Sequence, residues 1–355
     1  MGPRMSLRAD PAPIRHPFAE APAPGAAVEV AEGVLWLRMP LPMALDHVNA
    51  WALDDGDGWT LVDTGFDTGK TRAAWEAALA GPLAGRPVRR VLVTHHHPDH
   101  IGLAGWFQSA HGAELWAPRT AWLFARMLTL DVQERPAPET LGFWRAAGMA
   151  PELLERRAGE RPFNFADVVA PLPLGFRGIS DNSLISLGGR RWDVRFGHGH
   201  APDHATLWSR DDALVIGGDQ LLPGISPNLG VYATEPAADP VGDWLESCAR
   251  LARFARDDQL VLPGHKLPFT GLPMRLEQLA ENHRGALARL IDHLDRPRTA
   301  AECFPPLFKR EIGGAEYVLA LVEAVAHLNH LHLRGRVERI ARGDGAWLWQ
   351  ARPGR

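Results

Sequence analysis

Residues 94–100 read THHHPDH and follow directly on the aliphatic run RRVLV (89–93), whose composition predicts a strand. The candidate metal donors therefore begin where a strand stops. His95 and His97 are two residues apart, so in loop or extended backbone both imidazoles can reach one ion. Asp99 and His100 open a predicted helix, IGLAGWFQSAH closed by Gly112, and point elsewhere, where they can serve a second ion. Imidazole nitrogen and carboxylate oxygen together suit zinc, iron or manganese. Surface decoration is the commoner meaning of a histidine pair, but not of H-x-H-x-D-H set at the end of an apolar strand.

Three later strand ends repeat the arrangement. RRWDVRF (190–196) runs into Gly197-His198-Gly199-His200, ALVIGG (213–218) into Asp219, and QLVLPG (259–264) into His265. Loops at the ends of adjacent strands are where a rigid sheet can bring distant residues to one point. Upstream, HVNAWAL (47–53) and WTLVDTG (59–65) flank the turn DDGDG and predict a hairpin, followed by an amphipathic helix over 68–80 with Trp75, Ala78 and Leu79 on one face. A second histidine-rich stretch, HLNHLH (327–332), lies in a predicted helix where Val325, Leu328 and Leu331 supply the packing face; with no acidic partner in view, it reads as ordinary helix histidines.

The 355 residues, 46% apolar, are enough for one large domain and a smaller one. A net charge of −4 is too mild for a nucleic-acid or membrane footprint. Two distant cysteines, Cys248 and Cys303, form neither a disulfide framework nor a cysteine zinc site, and a reducing, cytoplasmic setting fits. The Pro- and Ala-rich residues 1–27 lack the apolar centre of a secretory signal and read as a tail, disordered or draped over the surface. No stretch is apolar enough for a transmembrane helix, so no membrane partner is expected.

On LVDTGF (61–66), THHHPDH (94–100), GHGHAPDH (197–204), GGDQ (217–220) and LPGHK (262–266), in that order, the sequence resembles the metallo-β-lactamase superfamily of binuclear metallohydrolases. The resemblance covers most of residues 28–270 and implies an α/β fold, the αββα sandwich, with the metals at one edge of two sheets. It implies that His95, His97 and His200 hold one metal, that Asp99, His100 and His265 hold the other, and that Asp219 bridges them. Two zinc ions, with iron or manganese as alternatives, are the implied cofactors. His96 falls at the variable position and is read as a non-ligand. The family's G-H-x-x-G-H pattern aligns on Gly199 to His204, favouring His200 over His198 as ligand. His204 then either hydrogen-bonds substrate or leaving group, or packs behind the ligands. Asp63 matches an aspartate that orients a ligand imidazole, against the alternative of a turn-forming residue.

The expected organisation is a tail (1–27), a catalytic domain (28–272) carrying a helical insertion (119–180), and a small winged-helix-like domain (273–355) ending in a hairpin around Gly343-Asp344-Gly345. The last part resembles a subgroup that includes endoribonucleases and bacterial hydrolases. Two metals bridged by Asp219 and a water would present hydroxide near neutral pH, with Asp99 orienting it and accepting its proton. The aromatic insertion (Trp122, Phe124, Phe143, Trp144) favours a small-molecule ester, thioester or lactone substrate. The alternatives are a phosphodiesterase or endoribonuclease, and iron-dependent redox chemistry; residues 275–355 show one modest arginine cluster (334, 336, 339, 342), which disfavours nucleic acid. A homodimer built on the C-terminal helices is also open.

Overall fold

The computed structural model describes residues 12–352. In chain order the elements are β1 (Val28–Ala31), β2 (Val34–Pro40), β3 (His47–Asp54), β4 (Trp59–Val62), α1 (Gly69–Ala80), β5 (Val88–Leu92), α2 (Pro98–Ile101), α3 (Ala104–His111) and β6 (Glu114–Pro118). Then come α4 (Arg119–Leu130), α5 (Pro138–Ala146), α6 (Pro151–Gly159), β7 (Arg177–Ile179), β8 (Leu184–Leu187), β9 (Arg190–Gly197), β10 (His204–Ser209) and β11 (Leu214–Gly218). The chain closes with α7 (Pro240–Leu251), β12 (Leu260–Pro263), α8 (Leu272–His293), α9 (Phe304–Phe308), α10 (Tyr317–Leu333), β13 (Val337–Ala341) and β14 (Trp347–Ala351).

Seven strands form one sheet in the order β1-β2-β3-β4-β5-β6-β7, five form a second in the order β12-β11-β10-β9-β8, and β13-β14 is a separate hairpin. Side-chain alternation explains how two sheets stack with helices outside both. Along β2, Val34 and Trp36 enter the layer between the sheets, where Trp51, Val62, Leu92, Trp192, Leu207 and Ile216 meet them. The intervening Leu37 and Met39 face outward onto Trp75 of α1 and Phe107 of α3. On the other sheet, Leu214 and Ile216 point inward while Val215 and Val261 pack under α7, α8 and α10. The result is the αββα sandwich that the sequence implied, with strands buried on both faces.

Strand β10 begins at His204, the last residue of GHGHAPDH, in a stretch to which the sequence alone assigned no element. It pairs antiparallel with β9 from His204↔Gly197 to Ser209↔Trp192. Its residues are buried except at the end, so the strand shows no alternation of buried and exposed positions. In the 119–180 stretch, α4 packs with the outer layer of the first sheet, whereas Phe143 and Leu154 join the apolar cluster that also holds α7, α8 and α10. The C-terminal helices thus share one continuous core with the second sheet.

The expected tail falls partly at residues 1–11, outside the described residues. From residue 12 the chain lies against the sandwich: Arg15 and Thr270 exchange backbone hydrogen bonds of 3.3 and 2.9 Å, and Phe18 meets Trp36 edge-on at 6.2 Å. Among the described residues, no helix is long and apolar enough to cross a membrane.

One buried side chain joins the two sheets at the edge where the ligands gather. Asn49 of β3 accepts the Trp36 indole N–H at 2.9 Å and donates to the carbonyls of Pro263 (2.9 Å) and Lys266 (2.8 Å), on either side of His265. Replacing Asn49 by Ala leaves these groups unpaired in a dry layer and is expected to cost about 3 kcal/mol. Urea denaturation of the chelator-treated protein measures this, and an unchanged midpoint would show that the stitch is dispensable.

Candidate metal centre

Each donor is presented by a strand end or the turn after it. β5 ends at Leu92, and the chain crosses Thr94 to His95 and His97 before α2 carries Asp99 and His100. His200 follows β9, Asp219 follows β11 and His265 follows β12. These side chains, from segments far apart in sequence, converge in three groups: His95, His97, His200; His95, His100, Asp219; and Asp99, His100, His265. Within each group the donor atoms all lie within 4.8 Å of one another.

Hydrogen bonds on the far side of each ring fix which nitrogen faces inward. His200 donates from Nδ1 to the carbonyl of Asn228 at 2.9 Å, and His265 donates from Nδ1 to the carbonyl of His47 at 2.7 Å. His100 donates from Nδ1 to Asp63 Oδ2 at 2.7 Å. Thr94 donates its hydroxyl proton to the same carboxylate at 2.8 Å, which leaves its oxygen to accept His95 Nδ1–H at 3.0 Å. Four rings therefore turn Nε2 into the centre. Asp63 does this at a positive φ of 62°, a conformation aspartate tolerates better than most residues, with its other oxygen accepting the Thr94 N–H at 2.8 Å.

Inside the ring of donors, His95 Nε2 and His97 Nδ1 are 2.9 Å apart, as are His97 Nδ1 and His200 Nε2. Asp219 lies between the two sets: its Oδ2 is 3.4 Å from His200 Nε2 and 3.3 Å from His265 Nε2, and its Oδ1 is 3.4 Å from His100 Nε2. Asp99 Oδ2 stands 3.3 Å from His265 Nε2. His100 Nε2 and Asp219 Oδ1 are buried without a hydrogen-bond partner. A β-carbon on Gly264 would collide with that same Asp219 oxygen and with the His100 ring, so only glycine leaves the space beside them open. Unpaired nitrogen and oxygen donors converging on one buried point fit a pair of divalent cations of the zinc type.

The electrostatics agree. Burial, reinforced by neighbouring imidazoles, holds His95 and His97 well below the ordinary histidine range. Burial also opposes charge on His265 and His100, but the Asp219 and Asp99 carboxylates outweigh it and raise both, His265 to about 10. Burial would raise Asp219, yet His265 and His100 outweigh it and hold the carboxyl well below its usual value.

The remaining histidines sort differently. His96 is buried against Phe124 and Phe165, with ring centroids at 5.3 and 6.3 Å, and joins no donor group. His198 also stays out: its N–H donates to Ser247 Oγ at 2.9 Å and its ring meets the Pro202 carbonyl at 2.5 Å. His204 departs from the expectation of a substrate contact. It is fully buried, stacks on His95 at 4.5 Å, and spends its Nε2 lone pair on the Asp219 N–H at 2.9 Å; burial lowers its pKa to about 3. A neutral ring committed to the backbone of Asp219 positions that carboxylate, and its other nitrogen, Nδ1, is buried without a hydrogen-bond partner. Near the C-terminus, His330 does have an acidic partner, Asp239 at 2.9 Å, which the local sequence could not reveal, but no donor group forms there among the described residues. Residues the sequence reading missed are Thr94, Asn228 and Asn49; only Asn49, a lone amide in the apolar run HVNAWAL, left a signal.

Because the Asp219 and Asp99 carboxylates favour the protonated forms of His100 and His265 in the metal-free protein, and a metal must displace those protons, zinc binding at pH 7 to chelator-stripped protein is expected to release protons. The dependence of calorimetric enthalpy on buffer ionisation heat reads the number, and binding without proton release would contradict the assigned charges.

Comparison with known proteins agrees with this fold. The family profile described as Metallo-beta-lactamase superfamily matches residues 43–265, and that described as Metallo-beta-lactamase-like, C-terminal domain matches residues 287–352. A crystal structure of a beta-lactamase domain protein from Burkholderia ambifaria is 36% identical, with a TM-score of 0.86 over 96% of this chain and 97% of that one. The probable metallo-hydrolase YqjP of Bacillus subtilis is 26% identical over 89% of this chain and 98% of its own length. A linear primary-alkylsulfatase from a Pseudomonas species is 25% identical over 68% of this chain and 45% of its own length.

Proposed function

The chain belongs to the metallo-beta-lactamase superfamily and is a metal-dependent hydrolase, and from that premise we propose that it uses two zinc ions to cleave an ester, thioester or lactone. The observation that carries the two-metal reading is the placement of Asp219, whose carboxylate touches both donor sets, Oδ2 lying beside His200 of one and His265 of the other and Oδ1 beside His100. His95, His97 and His200 would hold one ion, Asp99, His100 and His265 the other, with Asp219 shared. When bound, the two ions supply Lewis acidity, lowering the pKa of a water and polarising the substrate oxygen.

The chain's own groups do the rest. Asp99 is the more exposed of the two central carboxylates, and its oxygen faces the centre beside His265, where it can orient a water and take its proton. His204 and Gly218 fix the main chain of Asp219 and so the direction of its carboxylate. Asp63 and the carbonyls of His47 and Asn228 hold the imidazoles in one tautomer, so that their lone pairs remain aimed at the centre while charge shifts.

Apolar side chains on α4 and around His96, the neighbour of His97, support an acyl substrate. Phe124 of α4 and Phe165 cover His96, and along the same helix Leu123, Met127 and Leu130 are about half exposed or more, with Phe163 nearby. Such a surface suits an alkyl chain better than a phosphodiester backbone. The arginine cluster is also partly spent: Arg339 lies over Trp347 at 4.6 Å and Arg342 pairs with Asp344 at 2.8 Å. The buried thiols Cys248 and Cys303, both pushed up to about 12 by burial, are unpaired and are consistent with a cytoplasmic setting.

Zinc-loaded protein is expected to hydrolyse acyl p-nitrophenyl esters or acyl thioesters, to lose activity with a chelator, and to regain it with zinc. Turnover confined to bis-p-nitrophenyl phosphate or RNA, or to alkyl sulfates as the Pseudomonas relative's name would suggest, would contradict the acyl assignment. Asp219→Ala should lose both turnover and metal. The double variant Leu123→Asp, Met127→Asp should lower kcat/KM about tenfold on an octanoyl ester and leave an acetyl ester nearly unchanged; equal effects on both would remove this apolar surface from substrate recognition.

A further inference from the structure

The connection 219–239 between β11 and α7 begins with Asp219 and carries the carbonyl of Asn228 that receives the His200 proton. A connection of this length without regular structure is uncommon in a compact domain and needs something to hold it. Its supports come from α8 and α10. Arg275 of α8 donates to the carbonyls of Leu222 at 2.5 Å and Ile225 at 2.8 Å. From α10, Glu323 accepts Asn228 Nδ2–H at 2.7 Å, the Leu319 carbonyl accepts from the same amide at 3.2 Å, and the Val322 carbonyl accepts the Val231 N–H at 3.1 Å. Further along, Asn329 donates to the carbonyls of Pro236 and Ala238, both at 3.0 Å.

We infer that Glu323, in the C-terminal helix α10, is a positioning residue of the metal centre, clamping Asn228 so that its carbonyl holds His200 in its metal-facing orientation. The inference rests on the reading of His200 as a metal ligand. The chain of contacts is short: His200 Nδ1 to Asn228 O, then Asn228 Nδ2 to Glu323 Oε2, each a well-formed hydrogen bond. The side chain of Asn228 faces the C-terminal helix while its carbonyl faces the ligand, so the residue acts as a strut between them. Outer partners of ligating histidines commonly change metal affinity by about 10- to 100-fold when removed. Here the partner lies one residue further out and belongs to the C-terminal helices, which makes these helices part of the centre as well as of the fold.

The clamp requires only an acceptor oxygen at position 323. Burial lifts the Glu323 carboxyl to about 7, so its charge is lightly held, and glutamine can take its place. Zinc dissociation constants, obtained by competition with a chromophoric chelator, test the inference, together with the absorption spectrum of the cobalt(II)-substituted protein. Glu323→Ala and Asn228→Ala are each expected to weaken one of the two zinc equivalents about tenfold and to shift the cobalt bands, whereas Glu323→Gln stays within about twofold of the parent. The double variant should be no weaker than the weaker single one, because both remove the same clamp. Should Glu323→Ala fail to fold by circular dichroism, Asn228→Ala and Glu323→Gln still decide the matter. Parent-like zinc binding in Asn228→Ala, alongside loss of one equivalent in His200→Ala, would overturn the clamp. Parent-like binding in His200→Ala would instead overturn the metal reading beneath it.

Discussion

Buried lone pairs that face one another repel unless a cation or a proton lies between them, and the convergence of His95, His97 and His200 imposes that condition at the centre of this molecule. The surrounding structure works to keep the condition in force. The inward nitrogens of His95, His100, His200 and His265 are held toward the centre because the other nitrogen of each ring is tied to a carbonyl, a hydroxyl or the Asp63 carboxylate. Such an arrangement is costly for a protein that has nothing to bind there, since the same side chains could have paired with one another or with solvent. The carboxylates of Asp99 and Asp219 complete the balance of charge, favouring positive charge on His100 and His265 as they would favour a cation beside them.

Holding these groups in place requires elements from the whole length of the chain. The first sheet supplies Asp63, His95, His97, Asp99 and His100; the second supplies His200, Asp219 and His265. The two halves are fastened at that edge by the Asn49 amide and by the Ala205 N–H donating to the Thr94 carbonyl at 2.8 Å. The C-terminal helices then brace the long connection that follows Asp219. The sandwich gives rigidity, and the loops at its edge give convergence, a division of labour that suits a site whose donors must meet within a few tenths of an ångström.

Much of this was legible before any coordinates, for a physical reason. A strand that ends in a ligand leaves two local signals, an aliphatic run and a polar residue where that run stops, and four such pairs occur around His95, His200, Asp219 and His265. The register at GHGHAPDH was harder, because three histidines compete within one loop; the structure brings His200 into the donor ring and leaves His198 beside Pro202. What stayed hidden depends on tertiary contact. Strand β10 is buried on both faces, and His204, its first residue, meets the Asp219 backbone only through the fold, so its role as a support left no local signal. Asn228 acts through a carbonyl, which every residue has, and its partner Glu323 is nearly a hundred residues away. His330 finds Asp239 only because α10 packs across the start of α7.

The central claim is that seven side chains from four strand ends form one two-metal centre. Anomalous X-ray diffraction from zinc-soaked crystals, recorded on both sides of the zinc absorption edge, tests it most directly. Two peaks are predicted, one among His95, His97 and His200 and one among Asp99, His100 and His265, with the Asp219 carboxylate between them. A single peak, or peaks away from these residues, would contradict it.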